Sequence, residues 1–212
     1  MIDNNTLKVI SFNCKGFKER NYDYLNFLFS KCDILLIQES WLYSFEFGGV
    51  SNVLPGSICL GVSAMSEDDI GRRGRPYGGC LIVHKRNFPL PVVQINTLSK
   101  RICAAKIVQN EIKILLVSVY MPTEIQNDFL MNEYQDVVNE TSGLLHIYDD
   151  FNIVIGGNFN VDFNRPSRNL DVLKIFIVNE SLICSNNMIN QSDYTFETAD
   201  GSRSFIDHFI LD

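Results

Sequence analysis

Apolar residues along this chain fall into short runs, and polar or glycine-containing segments separate these runs. Residues 33–38 form a continuous apolar run, which is typical of a strand covered on both faces. Residues 22–31 instead place their apolar side chains on one helical face and predict a helix. Residues 102–108 and 112–120 are rich in β-branched side chains, and the polar dipeptide between them predicts an antiparallel hairpin.

The same pattern predicts several more strands and two more helices. Strands outnumber helices, and hairpins occur together with fully apolar strands, so two packed sheets with helices outside fit better than one parallel sheet. No repeat, linker or low-complexity tract is visible, and one α/β domain over residues 1–212 is predicted. The further strands are predicted at residues 8–12, 58–62, 80–84, 152–155, 195–196 and 205–211, and the further helices at residues 129–138 and 170–177.

The overall charge limits the kind of nucleic-acid binding to expect. With 212 residues, of which 46% are hydrophobic, the chain can form a sizeable core. Its formal net charge of -7 argues against tight, non-specific coating of nucleic acid. An acidic metal site can still act on phosphates, because a bound cation reverses the local sign of charge.

Cysteine usage and the N-terminal segment suggest an intracellular chain. The six cysteines are scattered, with no spacing typical of a zinc site, and are expected to be buried thiols in a reducing compartment. The first residues lack the basic start and apolar stretch of a secretory signal. No apolar run approaches membrane-spanning length, so no membrane association is expected.

Unusual polar residues follow or interrupt four of the predicted strands. Asn13 closes SFN, Glu39 closes LLIQE, and Asn158 and Asn160 lie in GGNFN. Taken singly, each has an ordinary explanation as a turn residue or a solvated carboxylate. Asp207 lies within the apolar run SFIDHFI, and if buried it needs a partner or a metal. The alternative is that Asp207 points to the wet face of an alternating strand.

Five short motifs occur in the order SFN, QE, SVYMP, GGNFNVD and SFIDH. This order resembles the endonuclease/exonuclease/phosphatase superfamily, which includes deoxyribonuclease I, exonuclease III and apurinic/apyrimidinic endonucleases. With the stretch GRPYGGCLIVHKR, the chain is most similar to endonuclease domains of non-LTR retrotransposons, over nearly its whole length. The resemblance implies a four-layer α/β sandwich, in which two facing mixed β-sheets are flanked by helices.

The resemblance also implies an activity and its setting. Proteins of this kind hydrolyse phosphodiester bonds with a divalent ion, usually Mg²⁺, with Mn²⁺ as an alternative. In the retrotransposon branch they nick double-stranded DNA, and the freed 3′ hydroxyl primes reverse transcription. A reverse transcriptase domain on the same parent polypeptide and action in the nucleus are therefore expected.

Roles for individual residues follow from the matching motifs. Glu39 would be the metal-binding carboxylate, since a hard oxygen ligand suits Mg²⁺. Asn13 would help to orient the metal and the scissile phosphate, and Tyr120 would donate its hydroxyl to a phosphate oxygen. Asn160 would position the attacking water or the phosphate. Asp207 would support a catalytic histidine or the metal.

Contacts to the DNA backbone are expected outside these motifs as well. The resemblance assigns such contacts to Thr195 and Ser204. The segment GRRGR adds Arg72, Arg73 and Arg75, the densest basic cluster of an acidic chain, which could follow the phosphate backbone. A solvated surface loop is the other interpretation of this segment, and the sequence leaves both open.

Two departures from the family pattern predict an impaired enzyme. The family motif reads GDFN, whereas Asn158 stands here in place of the aspartate assigned to proton transfer. An amide cannot take or give that proton near neutral pH, so a large loss of rate with a preserved fold is expected. Family members also continue to a final S-D-H motif, which is not seen before Asp212, and His208 matches the preceding aspartate strand and not that motif.

Little or no nicking activity is therefore expected of this polypeptide, with the last strand and the general base missing. Two alternatives stay open. One is a catalytically inactive DNA-binding remnant. The other is a different phosphodiesterase of the same fold, similar to sphingomyelinases or inositol phosphatases, against which the GRPYGG stretch argues.

Overall fold

The computed structural model describes residues 6–66, 68, 77–123, 128–185 and 194–212. Within these ranges most strands belong to two sheets that lie face to face. The strands are β1 (Val9–Asn13), β2 (Ile34–Gln38), β3 (Ser57–Val62), β4 (Cys80–Lys85), β5 (Val92–Ile95), β6 (Ile102–Gln109), β7 (Ile112–Tyr120), β8 (Asn152–Asn158), β9 (Ile183–Cys184), β10 (Phe196–Glu197), β11 (Arg203–Ser204) and β12 (Asp207–Leu211).

Both large sheets are mixed. The first has the order β1-β2-β4-β3, in which only β1 and β2 pair in parallel. The second has the order β5-β6-β7-β8-β12-β9, in which only β7 and β8 pair in parallel. Strands β10 and β11 form a separate antiparallel ribbon.

Helices cover the outer faces of the two sheets. The first sheet is covered by α1, and the second by α3 and α4. Four layers result, so the predicted α/β sandwich is confirmed. The helices are α1 (Glu19–Lys31), α2 (Val50–Val53), α3 (Asp128–Ile147) and α4 (Arg168–Asn179), with a 3-10 helix at Ser44–Gly49 before α2.

Strand β2 shows why the core has three layers of apolar contacts. Its residues Ile34 and Leu36 face the second sheet and pack with Cys103 of β6. Leu35 and Ile37 alternate to the other face, where they pack against α1. The continuous apolar sequence of β2 is therefore explained by cover on both sides.

One polar contact lies within the apolar interface between the sheets. Gln38, which is fully buried, donates from Nε2 to Ser118 Oγ at 3.0 Å. Ser11 Oγ in turn donates to Gln38 Oε1 at 3.3 Å. Because buried amides need partners, this pairing fixes the sheets relative to each other near the ends of β1, β2 and β7.

Several predicted boundaries are corrected. The helix expected at residues 129–138 extends to Ile147, and the 3-10 helix at Ser44–Gly49 and α2 were not predicted. Strand β5 was not predicted. Strand β8 continues through Gly156 and Gly157 to Asn158, three residues beyond the predicted end.

The two glycines of β8 are required by close packing. A Cβ on Gly157 would lie 2.0 Å from the carbonyl oxygen of Val119, and one on Gly156 would lie 2.7 Å from Leu36. No side chain fits at either position without movement of a neighbour. The GG of GGNFN therefore lets β8 approach β7 and the opposite sheet closely.

The expected thiols are confirmed, since all six cysteines lie within the described residues and none forms a disulfide. Burial raises the pKa of Cys14 to about 12, which makes this thiol unreactive. In the part of the chain that the structure describes, no helix is both long and apolar enough to cross a membrane.

Candidate active site

The predicted site residues of the two sheets meet at one end of the sandwich. Asn13 is the last residue of β1 and lies beside Gln38, the residue before Glu39. On the facing sheet, Tyr120 and Asp207 are both register partners of Asn158. The structure therefore brings Asn13 and Glu39 from one sheet to the same mouth as Tyr120, Asn158 and Asp207 from the other.

Asn13 holds the carboxylate of Glu39. Its Nδ2 donates to Glu39 Oε1 at 2.8 Å, and its Oδ1 accepts from the Lys15 backbone N–H at 3.1 Å. The Glu39 backbone has φ 52°, a left-handed conformation that is unusual for this residue type. Asn13 thus orients Glu39, and the strained turn after β2 aims the carboxylate at the mouth.

Tyr120 approaches Glu39 from the second sheet. Burial and the nearby Glu39 charge raise the pKa of Tyr120 to about 12, and its hydroxyl hydrogen-bonds with the Glu39 side chain. The Arg101 guanidinium lies over the Tyr120 ring, 5.2 Å from its centroid. Glu133 of α3 accepts two hydrogen bonds from Arg101, at 2.7 and 3.1 Å. Tyr120 therefore remains protonated and is packed in a fixed orientation.

Asn158, which is buried, and Asp207, which is half-buried, form the floor of the site. Asn158 is only 3% exposed, and burial raises the pKa of Asp207 to about 6, with hydrogen bonds from Thr195 and Asn158 opposing that rise. Within the described residues, Oδ1 of Asn158 and Oδ1 of Asp207 are buried without a hydrogen-bond partner. Two unsatisfied acceptors at one site indicate a group that the protein alone does not supply.

A cleft of about 480 Å³ opens above this floor. Asn13, Asn158 and Asp207 reach its wall, together with the loop that follows β1 and the β10–β11 ribbon. The lining residues are Ser11, Phe12, Asn13, Cys14, Lys15, Arg20, Asn21, Tyr24, Asn158, Thr195, Phe196, Glu197 and Asp207.

The available ligands are oxygen atoms. Among the described residues, no group of three or more His, Cys, Asp or Glu side chains could hold a metal ion. Glu39, Asp207 and the Asn158 amide oxygen nevertheless offer two carboxylates and one neutral oxygen. Such a small oxygen set suits a hard divalent cation that keeps several waters.

Asn160 lies beside the mouth but is directed elsewhere. Its Nδ2 donates to the Met121 carbonyl at 2.6 Å, and its backbone has φ 53°. The Met121 backbone N–H donates to Asn158 O at 2.9 Å. Asn160 thus joins the loops after β7 and β8 and does not line the cleft.

The predicted DNA-contacting residues have different surroundings. Thr195 Oγ1 lines the cleft and accepts from the backbone N–H groups of Ile206 and Asp207 at 3.0 and 3.1 Å. Ser204 Oγ accepts from Arg165 Nη1 at 3.1 Å. Both hydroxyls therefore hold the ribbon in place. Arg72, Arg73 and Arg75 lie outside the described residues.

His208 is placed away from the cleft. It alternates with Asp207 along β12, and its Nε2 lies 2.8 Å from the Val161 carbonyl oxygen. The rings of Phe159 and Phe163 lie 5.7 and 5.0 Å away. Burial lowers the His208 pKa to about 4, so this imidazole is neutral and packed in the core of the second sheet.

The loop after β1 contributes residues that the sequence did not single out. Lys15 and Gly16 have φ 46° and 102°, and the Asn21 side chain donates to Gly16 O at 2.8 Å. Arg20 Nη2 donates to Lys15 O at 3.2 Å. A glycine shortly after a strand end is a signal for such a turn, but it does not show where the Lys15 side chain points.

Comparisons with known proteins place the fold. A scan of the sequence against protein-family models gives no match, and neither does a search of curated proteins. Solved structures do match. The endonuclease domain of TRAS1, a telomere-specific non-LTR retrotransposon, is 16% identical with a TM-score of 0.69, covering 96% of this chain and 83% of that one.

Two further structures are similar. The apurinic/apyrimidinic endonuclease LMAP from Leishmania major is 15% identical with a TM-score of 0.79, covering 97% of this chain and 79% of that one. A 3′ phosphatase from Neisseria bound to a product DNA hairpin is 16% identical with a TM-score of 0.70, covering 98% and 87%. The chain therefore has the deoxyribonuclease-I-like fold that these structures share.

Proposed function

We propose that this chain is a divalent-metal-dependent DNA-nicking endonuclease domain of the non-LTR retrotransposon type. The observation that carries the proposal is the meeting of Asn13, Glu39, Tyr120, Asn158 and Asp207 at one mouth. These residues come from both sheets and from distant parts of the sequence. Chance placement of structural turn residues does not explain two unsatisfied buried acceptors among them.

Mg²⁺ is the proposed cation, with Mn²⁺ as an alternative. The oxygen donors of Glu39, Asp207 and Asn158 fit a hard ion, and the two unsatisfied Oδ1 atoms are positions where a cation or its waters would be accommodated. When bound, the ion would neutralise charge on the phosphate and activate a water.

The residues of the chain have separate tasks in this scheme. Asn13 keeps the Glu39 carboxylate oriented, so the ligand does not reorganise when substrate enters. Tyr120 stays protonated and can donate its hydroxyl to a phosphate oxygen in place of Glu39. Asp207, with its pKa raised to about 6, is mostly ionised at neutral pH and is available to a cation.

Asn158 limits the rate in this proposal. It occupies the floor beside Asp207, where an acid-base group is needed to move a proton to or from the reacting oxygens. A carboxamide has the right shape and hydrogen-bonding ability but does not transfer protons near neutral pH. We therefore propose a slow enzyme in which the other site residues keep their arrangement. A DNA-binding remnant without activity is the limiting case.

The biological setting is part of the proposal. The motif order and the structural similarity to the TRAS1 endonuclease domain support double-stranded DNA as the substrate. The nick would supply a 3′ hydroxyl for target-primed reverse transcription by a reverse transcriptase domain on the same parent polypeptide. The site of action would then be the nucleus.

The test is nicking of supercoiled plasmid with Mg²⁺ by three chains, each extended to include an S-D-H segment: wild type, Asn158→Asp, and Asn158→Asp combined with Glu39→Gln. We expect the wild type to be at least about 100-fold slower than Asn158→Asp, because general acid-base catalysis contributes that much. The added Glu39→Gln change should abolish the gain. A fully active wild type, or an Asn158→Asp chain that stays inactive although folded, contradicts the proposal.

A second substrate class is kept in the test, because a 3′ phosphatase has the same fold over 98% of this chain. The Asn158→Asp chain is assayed on plasmid, on a duplex with a 3′ phosphate, on sphingomyelin and on inositol phosphates. Cleavage of plasmid alone supports the endonuclease. Release of phosphate without nicking would favour the phosphatase.

A further inference from the structure

Lys15 is a cation that lines the cleft. Among the described residues it forms no salt bridge, and its side chain lines the cleft together with Asn158 and Asp207. Glu197 is on the same wall, and Glu39 lies next to Asn13. A phosphate that enters this acidic surrounding needs positive charge from the protein as well as from a metal.

The backbone around Lys15 is built to hold an unfavourable conformation. Lys15 has φ 46°, a region that non-glycine residues seldom adopt. Asn13 Oδ1 accepts from its N–H, Arg20 donates to its carbonyl, and Asn21 donates to the carbonyls on both sides, at 2.7 and 2.8 Å. Strain held by so many contacts is common at functional sites, where it aims a particular side chain.

The side chain is also positioned. Lys15 Nζ lies 4.0 Å from the centroid of the Phe196 ring on the β10–β11 ribbon, which places the ammonium over the cleft wall. Its charge acts on Asp207, where it opposes the rise in pKa that burial causes. The ammonium therefore lies within electrostatic reach of the floor of the proposed active site.

We propose that Lys15 is a substrate-phosphate ligand of the cleft, held over Phe196 by the strained loop after β1. The proposal rests on the proposed function, because it takes the phosphodiester backbone of DNA as the ligand. It adds a binding residue to the metal-site and motif residues of that function. An ammonium on a flexible stem can leave one face of an aromatic ring to meet a phosphate oxygen without moving the backbone.

The test is binding of a short fluorescein-labelled DNA duplex in EDTA, measured by anisotropy over a range of salt concentrations. Lys15→Asn removes the charge, and asparagine tolerates positive φ, so the loop is kept. Lys15→Arg keeps the charge. Lys106→Gln, which removes one charge from β6 away from the cleft, is the matched control.

Lys15→Asn should weaken binding by roughly 10- to 100-fold, as expected when one charged hydrogen bond is removed. The slope of log affinity against log salt should become shallower by about 0.9, which corresponds to one neutralised phosphate. Lys15→Arg and Lys106→Gln should stay close to wild type. Melting curves of each variant establish that the chains are folded.

An unchanged affinity and slope in Lys15→Asn overturn the inference, as does a wild type that does not bind the duplex. An equal weakening in Lys106→Gln also overturns it, because the effect would then belong to net charge alone. The nicking assay with Asn158→Asp decides the proposed function separately, so failure of one can be told from failure of the other.

Discussion

Asn158 and Asp207 face each other as register partners on the antiparallel strands β8 and β12, and the Asn158 side chain is a hydrogen-bond partner of the Asp207 carboxyl. An amide beside a buried carboxyl relieves repulsion that a second carboxylate would create. The pair is therefore more stable as it stands than with aspartate at both positions. The same amide is what slows the proposed chemistry.

The stability of the chain should fall between pH 4 and pH 6 because of Asp207. Burial raises its pKa from 3.8 to about 6, so the folded state holds the proton more tightly than the unfolded state. The resulting stability is present below the unfolded pKa and is lost as pH rises through 6. The expected fall in unfolding free energy is on the order of 2–3 kcal/mol. Urea unfolding of wild type and Asp207→Asn across this range measures it, and parallel pH curves would contradict it.

Asn158→Asp should move this window to higher pH. Two neighbouring buried carboxyls share a site, and the pKa of one of them rises further. At neutral pH without metal the variant should melt at a lower temperature than wild type, and Mg²⁺ should raise its melting temperature more than that of wild type. Equal responses of the two chains to Mg²⁺ would show that no cation is held between residues 158 and 207.

Arg101 should act on catalysis through Tyr120. Its guanidinium covers the Tyr120 ring and is itself held by Glu133. In the Asn158→Asp background, Arg101→Gln should lower kcat by roughly ten-fold, because a misplaced Tyr120 side chain would raise the activation barrier by about 1.4 kcal/mol. Adding Tyr120→Phe should then cost less than it does alone. Fully additive effects would mean that Arg101 works independently of Tyr120.

Gly157→Ala should be strongly destabilising. Its Cβ would lie 2.0 Å from the Val119 carbonyl oxygen, so β7 and β8 would have to separate where the site residues begin. We expect the free energy of unfolding to fall by at least about 3 kcal/mol. Gly143→Ala is the matched control, since nothing lies within 4 Å of its added Cβ in helix α3, and it should stabilise by about 0.5–1 kcal/mol. Thermal melts of both variants check the contrast.

Replacing Arg72, Arg73 and Arg75 together with alanine should weaken duplex binding and make its salt dependence shallower. Each arginine that neutralises a phosphate in the wild type should account for about 0.9 of the slope. Anisotropy titrations at several salt concentrations measure this. An unchanged slope would remove the arginine segment from the DNA interface and leave the solvated-loop interpretation.

The sequence predicted the architecture because the apolar runs and turn signals are local. Residues 33–38 predicted a strand covered on both faces, and the structure confirms such a strand at Ile34–Gln38. Strand β5 was missed because its four residues do not alternate regularly between apolar and polar side chains, and because prolines precede it closely in the sequence. The full length of β8 was missed because the dipeptide Gly156-Gly157 resembles a turn signal. Glycine is required at these positions because another strand approaches closely.

The order of the motifs predicted which residues belong to the site, but not how their side chains contact each other. Asn13 and Glu39 could be placed near each other, but their hydrogen bond depends on the backbone turn at Glu39. Alternation along β12 left the face of Asp207 undecided. Thr195, next to the β10–β11 ribbon, accepts a hydrogen bond from the Asp207 backbone N–H, and no local sequence pattern encodes that contact. Lys15 was missed because its position depends on Phe196, a residue far away in the sequence.

The hydrogen bond between Gln38 and Ser118 has a consequence for how the mouth tolerates mutation. Aliphatic side chains alone would allow the two sheets to pack in several relative positions. The hydrogen bond from Gln38 to Ser118 forms in only one of them. Asn13 and Glu39 travel with one sheet and Tyr120, Asn158 and Asp207 with the other, so any shear between the sheets would pull the two halves out of alignment. Residues 38 and 118 therefore set the gap into which the phosphate of the proposed reaction would have to fit, although neither needs to touch it.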